Sequence, residues 1–391
     1  MRNSPFWWVF IAFMVLLDFY CFQALKVVSQ SASAKTKTII YAVYWILSVS
    51  AIIVLLILPY LHFEAQNKVI RTNIFAIILG LFFAKLIASV FFLIDDIRRG
   101  VQWLTGKLFF SKTEGEALQG EGERISRSAF LSWTGIVFGG GLFGSLLYGF
   151  GNKYRYQVKV IPLSFNNLPP AFKGLKIVQL SDIHSGSFTD KKAVMRGVQK
   201  VLDLKPDLIL FTGDLVNDKA EEMDDYIEVF EKLKAPMGVY SILGNHDYGD
   251  YVTWDSKEER EANLNRLKEV HAKLGWRLLL DEHVSIEKDG EKIGLLGVQN
   301  ISSRNNFHSY GSMAKAHEGS GEYPFKILMS HDPSHWDGEV RKKYSDVDLM
   351  LSGHTHGAQF GVELPGFRWS PVQYVYKQWA GLYENETGSQ K

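Results

Sequence analysis

Four apolar runs fill most of the first 150 residues: about Phe6 to Leu25, Ile39 to Leu61, Ile74 to Ile94 and Ala129 to Phe150. Each approaches or exceeds the ~18 residues that a helix needs to cross a bilayer. No other feature constrains the fold so strongly, because a backbone in hydrocarbon has to satisfy its own hydrogen bonds. The mean hydropathy of −0.04 averages this stretch with a remainder of another kind, in which short apolar runs alternate with charged helical stretches. The change falls near Gly151, so we expect a membrane domain over residues 1–151 and a second domain over 152–391. The first run is read as a retained span and not a cleaved leader: it carries Asp18 and ends well before the small-residue site Ala32-Ser33-Ala34.

With four spans, the N-terminus and the second domain lie on the same side of the membrane. Lys26, Lys35, Lys37, Arg98, Arg99, Lys107, Lys112, Arg124 and Arg127 follow spans one and three, against Arg2, Lys68, Arg71, Lys153, Arg155 and Lys159 on the other side. Basic residues favour the cytoplasm, so nine against six turns the second domain outward. Asp18 and Lys85 lie at membrane depth, where unpaired charge is costly, and are expected to form a buried ion pair unless Lys85 snorkels. Gly135 to Gly139 and Gly140 to Gly144 have the spacing that lets helices approach closely. Ser111 to Ser128, rich in Gly, Glu and Ser, is expected to be a loop.

The formal net charge of +1 gives no reason to read the whole chain as a nucleic-acid binder. Cys21, inside the first run, is the single cysteine, which excludes an intrachain disulfide and a thiolate zinc cluster.

From Gly174 the pattern repeats: an apolar run, a turn loaded with Asp, His, Gly or Asn, then an amphipathic stretch. Strands are expected at Leu175–Leu180, Leu208–Phe211, Val239–Leu243, Lys292–Val298, Phe325–Met329 and Val347–Leu351, and helices at Asp190–Leu204, Ala220–Leu233 and Lys257–Leu274. This alternation predicts an α/β domain with a largely buried sheet. Most of the polar clusters fall at the C-terminal ends of strands, where open α/β sheets place their sites.

Those clusters are Asp182-Ile183-His184, Gly213-Asp214, Gly244-Asn245-His246-Asp247, Ser330-His331-Asp332 and Gly353-His354-Thr355-His356-Gly357. Each supplies Asp, His or Asn, which are ligands for hard and borderline divalent metals. In an extended segment, side chains two apart point the same way, so both members of Asp-x-His or His-x-His reach one ion. Any one of these motifs is common at a strand end. All of them in this order supply enough donors for a two-metal centre with positions left for water and substrate.

In these motifs the chain resembles the calcineurin-like metallophosphoesterase family over about Leu175 to Gln359, and the bacterial membrane-associated branch in its Gly-His-Thr-His-Gly-x-Gln ending. The resemblance implies a two-sheet sandwich flanked by helices, here preceded by a four-helix transmembrane region. It implies two divalent metal ions, Mn, Fe or Zn. Asp182, His184 and His356 would hold the first, Asn245, His331 and His354 the second, and Asp214 would bridge. His246 would face the leaving group, with Asp247 orienting its imidazole. Asp218 stands one residue too far from Asp214 for the family's next carboxylate, and Ala358 replaces a glycine. Members of the family continue past Gly381-Leu382-Tyr383 with a further strand, whereas a polar tail leads here to Lys391, so the expectation is either that the sequence is truncated or that the second sheet closes differently.

The implied activity is hydrolysis of a phosphate ester. The branch implies the bacterial inner membrane, and a catalytic domain tethered beside a bilayer suggests a phosphodiester or pyrophosphate of a lipid or cell-envelope precursor. The walls of the site are sought in Tyr248–Gly275 and Gln299–Tyr323, with Arg304, His308 and Lys315 as phosphate contacts. In the competing reading the spans work as a sensor or carrier through Asp18 and Lys85, and the metal-binding domain regulates them.

Overall fold

A backbone that crosses hydrocarbon has to be helical or a closed barrel, and the computed structural model takes the helical solution. It describes residues 5–57, 68–109, 127–304, 307–364 and 366–391. Helices α1 (Pro5–Val28), α2 (Ala34–Ile57), α3 (Lys68–Phe109) and α4 (Arg127–Gly151) contain the apolar runs, and all four are long and apolar enough to cross a membrane. α3 runs well past the predicted end at Ile94. Its extension is polar and is held by side chains one turn apart: Arg98 with Asp95 at 2.7 Å and Arg99 with Asp95 at 3.3 Å, the kind of pair that prolongs a helix in water. Most of the expected loop, residues 111–126, and the end of the expected second span lie outside the described residues.

Asp18 and Lys85 do form the buried ion pair, and Lys85 also donates to Ser48 Oγ at 2.9 Å. Ser48 and Asp18 are almost wholly buried, so α1, α2 and α3 meet at one polar point inside an otherwise apolar contact. Of the two small-residue pairs in α4, Gly135 and Gly139 face α3, where a Cβ on Gly139 would sit 2.5 Å from the Ala84 carbonyl oxygen. Among the described residues, Gly140 and Gly144 have no neighbour within 4 Å of such a Cβ.

The chain divides into two units, Met1–Arg155 and Tyr156–Lys391. In the second, β1 (Ile177–Leu180), β2 (Leu208–Phe211), β3 (Val239–Ser241) and β4 (Arg277–Leu278) form a parallel sheet in that order. A second sheet has the order β5 (Glu282–Lys288), β6 (Glu291–Gly297), β7 (Lys326–Met329), β8 (Leu349–Leu351) and is parallel except for the β5–β6 hairpin. Leu208, Leu210, Ile242 and Leu279 from the first sheet pack with Ile286, Ile293, Leu295, Ile327 and Met329 from the second, which makes the pair a sandwich. Both faces of β2 and β7 are buried, which is why they read as unbroken apolar runs.

α5 (Lys191–Asp203) starts at Asp190, whose carboxylate accepts the Ala193 N–H. The helix expected over Ala220–Leu233 is broken. A 3₁₀ turn ends at Met223 and only α6 (Ile227–Phe230) follows. The Glu222 carboxylate accepts the backbone N–H groups of Gly186, Asn217, Asp218 and Lys219, so this segment folds as a loop around a half-buried acid. α7 (Lys257–Lys273) is capped by Ser256. Lys391 lies along the β8 edge, donating to the Asp348 carbonyl and accepting the Met350 N–H, each at 2.9 Å.

Candidate metal centre

β1, β2 and β3 of the first sheet and β7 and β8 of the second all end at one cleft, and each is followed within a few residues by one polar cluster. Tight turns bring the side chains together. Asp182, His184, Asp214, His354 and His356 have φ of 54°, 46°, 60°, 73° and 49°, the left-handed region that side chains other than glycine's rarely enter. Such residues cost about 1–3 kcal/mol each and persist where surrounding contacts hold them. Gly353 is required by proximity, because a Cβ there would collide with the Ser181 hydroxyl and the Asp182 carboxylate.

Two sets of donors result, sharing Asp214: Asp182, His184, Asp214 and His356 in one, Asp214, His331 and His354 in the other. In the first, His184 Nε2 stands 3.0 Å from His356 Nε2 and 3.5 Å from Asp214 Oδ2, and His356 Nε2 stands 3.2 Å from Asp182 Oδ1. In the second, His331 Nε2 is 3.1 Å from Asp214 Oδ2 and 3.1 Å from Asn245 Oδ1, which is 2.7 Å from His354 Nδ1. Ring nitrogens and carboxylate oxygens facing one another over these distances fit divalent cations with N/O ligation, and the shared carboxylate fits a bridge.

The remaining atoms of these side chains are fixed from behind. Asp214 Oδ1 accepts the His246 N–H at 2.9 Å, which leaves Oδ2 toward both sets. Asp182 accepts the His354 N–H at 2.9 Å. His331 Nδ1 donates to the Thr212 carbonyl at 2.8 Å, which turns Nε2 toward Asp214 and Asn245. His354 Nε2 meets the Tyr376 hydroxyl at 2.9 Å, and that hydroxyl lies 3.4 Å from the buried Asp332 carboxylate. Tyr376 continues a chain of support that sequence reading did not anticipate, since no motif marks it.

Charge follows the geometry. Burial works against ionisation of Asp182, yet the hydrogen bond with His356 and the charge of His331 hold its carboxyl well below the usual range. Asp214 is likewise held low, His331 outweighing burial. Burial would depress His331, but Asp214 raises it to about 10. His354 moves the other way, to about 4, through burial and the neighbouring His331 charge.

His246 sits at the cleft with Nδ1 2.7 Å from the Asn217 carbonyl oxygen, and its ring packs on Tyr251 at a centroid distance of 4.5 Å. The expected orienting role of Asp247 is therefore corrected. Its carboxylate accepts the N–H groups of Gly244 (2.8 Å), Leu215 (2.8 Å), Asp214 (2.9 Å) and Val216 (3.3 Å), so it ties the second and third motifs together and the Asn217 carbonyl orients His246. Burial and the Asp214 charge push Asp247 up to about 7.

The cleft, about 330 Å³, is lined beside the ligands by Tyr251, Phe307, Ala358, Val372 and Tyr376. Tyr251 and Phe307 come from the two expected wall segments, and Val372 and Tyr376 from a third. Of the three expected phosphate contacts, Arg304 lies over the Tyr376 ring, 4.7 Å from its centroid. His308 and Lys315 are not among the lining residues: the His308 carbonyl accepts from Asn300, and Lys315 belongs to the short helix Met313–His317. Asp218 takes no place in either donor set, and burial raises its pKa.

Residues 175–358 match the family model described as Calcineurin-like phosphoesterase, and residues 1–152 match Probable Calcineurin-like phosphoesterase, transmembrane domain. The chain is 29% identical over 285 residues to the uncharacterized metallophosphoesterase YkuE of Bacillus subtilis, covering 68% of this chain and 88% of that protein. It is 30% identical over 214 residues to the uncharacterized metallophosphoesterase YkoQ of the same organism, covering 53% and 71%. A Danio rerio protein named Transmembrane protein with metallophosphoesterase domain is 28% identical over 233 residues, covering 58% of this chain and 49% of that protein.

Proposed function

The chain belongs to the calcineurin-like metallophosphoesterase family, and on that premise we propose that it hydrolyses a phosphodiester or pyrophosphate bond in a lipid-linked or cell-envelope substrate. The observation that carries this reading is the cleft wall. Phe307, Val372 and Ala358 offer apolar surface directly beside the paired donor sets, next to Tyr251 and Tyr376, where a purely polar wall would favour a free nucleotide or sugar phosphate.

Asp182, His184 and His356 would hold one cation, Asn245, His331 and His354 a second, and Asp214 stands in both donor sets. Two such ions, Mn, Fe or Zn, would supply positive charge for the phosphoryl oxygens and acidify the attacking water. The chain does the positioning. His246, anchored through Nδ1 by the Asn217 carbonyl, presents Nε2 to the cleft, where a proton can pass to the leaving oxygen. Asp247 holds the backbone of Asp214 and Gly244 in register so that the bridge and the acid keep their spacing. The excess of basic residues after spans one and three supports a catalytic unit on the outer face of the bacterial inner membrane.

The alternative reading, a membrane sensor or carrier with a regulatory metal-binding domain, would work through the Asp18–Lys85 pair. Asp18, Lys85 and Ser48 satisfy one another, as a packing cluster does. The test is hydrolysis of bis-p-nitrophenyl phosphate and p-nitrophenyl phosphate by the full chain in detergent, after chelation and after return of Mn²⁺, Zn²⁺ or Fe²⁺. Metal-restored diester cleavage is expected. A metal-loaded but inert protein would overturn the reading.

A further inference from the structure

Between the cleft residues Ala358 and Val372 the chain leaves the site and returns through a two-stranded antiparallel ribbon, β9 (Val362–Leu364) and β10 (Phe367–Trp369). Val362 pairs with Trp369 and Glu363 with Arg368. Side chains alternate across a strand, so Val362, Phe367 and Trp369 share one face, and Glu363 and Arg368 the other. The charged face is tied to the domain. Arg368 donates to the Ala380 carbonyl at 3.0 Å and lies 3.3 Å from Glu363, which also accepts Lys159 Nζ at 2.7 Å.

Among the described residues the other face has no such cover. Phe360 is 44% exposed, Val362 45% and Phe367 55%, and the patch continues through Trp369 to Tyr374, whose hydroxyl is 3.4 Å from the Trp369 indole N–H and which is 77% exposed. A two-stranded ribbon has no core of its own, and a contiguous apolar patch of this kind marks a surface that meets something.

The chain itself limits what that is. Lys159, bonded to the ribbon through Glu363, follows Gly151, the last residue of α4, by eight positions. An extended chain covers at most about 3.6 Å per residue, so the ribbon's contact point is leashed within about 30 Å of the end of a membrane span. Its composition fits the same partner. Trp369, Tyr374, Phe360 and Phe367 are of the aromatic types that settle at the boundary between acyl chains and headgroups.

We propose that the apolar face of the β9–β10 ribbon, extended by Phe360 and Tyr374, docks into the interfacial layer of the bilayer and holds the cleft mouth against lipid headgroups. The docking stands on the ribbon alone; its consequence for substrate access rests on the phosphoesterase reading.

The test uses the full chain in nanodiscs, with Cys21→Ala removing the native thiol and an environment-sensitive fluorophore placed at Phe360→Cys, Phe367→Cys or, as a control on the β5–β6 turn, Asp289→Cys. Spin-labelled phospholipid should quench the probe at 360 and 367, and aqueous iodide the probe at 289. Iodide quenching at 360 and 367 equal to that at 289 would overturn the proposal, as would shielding from both quenchers, which would mean cover by protein such as a second copy of the chain. The double variant Phe360→Ser, Phe367→Ser should lose about tenfold in turnover of a diester embedded in vesicles, with soluble bis-p-nitrophenyl phosphate unaffected. Equal turnover of the embedded diester by variant and parent would remove the claim that docking presents the cleft. If neither diester is cleaved by the parent chain, the phosphoesterase reading fails while the quenching still decides the docking.

Discussion

Each half of this protein buries a cluster of ionisable side chains, and the two clusters are built on opposite principles. In the membrane half Asp18, Lys85 and Ser48 are complementary: anion, cation and hydroxyl close on one another. In the catalytic half the donors converge without closing on one another. His184 and His356 turn ring nitrogens toward each other at 3.0 Å, His184 and His331 both converge on Asp214 Oδ2 at 3.5 and 3.1 Å, and Asn245 Oδ1 faces the rings of His331 and His354. A closed cluster specifies packing, whereas an open one has to be completed by a ligand. Burial of charge alone does not distinguish structure from function; the arrangement of donors and acceptors does.

The sharpest way to break this contrast is at the shared carboxylate. Asp214→Asn is expected to reduce turnover to background and to lower bound metal, read by atomic emission on the purified protein. His246→Asn should keep its metal and lose about 10²- to 10⁴-fold on substrates with poor leaving groups. Equal metal content in the two variants would mean that bridge and acid are misassigned.

In the membrane half the opposite pattern is expected. Lys85→Met leaves a buried Asp18 without its partner, at a cost of about 3–5 kcal/mol seen as a lower melting temperature in detergent. The double variant Asp18→Leu, Lys85→Met should recover most of it, with soluble-diester turnover unchanged in the folded protein. A folded double variant without turnover would erase the distinction between the clusters. Tyr376→Phe removes the hydroxyl behind His354 and should weaken metal affinity about tenfold, measured by competition with a chelator.

The narrowest effect, confined to one pH interval, concerns a histidine that belongs to neither cluster. His271 is wholly buried, and burial depresses it to about 3. The unfolded chain takes up its proton below about 6.5 and the folded chain does not, so this contribution to stability is complete above that pH and falls away between about 6.5 and 3. Between pH 7 and pH 5 the loss is about 2 kcal/mol. His271→Leu should flatten the melting-temperature profile in that interval, and parallel profiles would exclude His271 as its source.

Much of this was legible in the sequence because the signals are local. Apolar runs of span length became helices, and the strands before each motif were bounded by the motifs themselves. The ends were less legible. Apolar content could not announce that α3 continues past Ile94 on ion pairs, nor that Glu222 folds Ala220–Leu233 around its carboxylate. The strand Glu282–Lys288 was missed although its Asp289-Gly290 hairpin turn was in view, because charged residues on its outer face masked the alternation. Asp247 was misread for a different reason. Adjacency to His246 suggested contact with the imidazole, while its oxygens were needed by four backbone N–H groups. Tyr376 and the β9–β10 ribbon lie beyond every motif, and only the folded chain brings them to the cleft.

The left-handed backbone at Asp182, His184, Asp214, His354 and His356 also bears on how such a protein can age in evolution. Each position is one where glycine would relieve strain. Once selection for turnover lapses, glycine in place of these ligands is a downhill path, toward a more stable fold with a silent cleft. Stability and emptiness would then increase together, so a robust relative with glycines at these positions is better regarded as a retired enzyme than as a superior one.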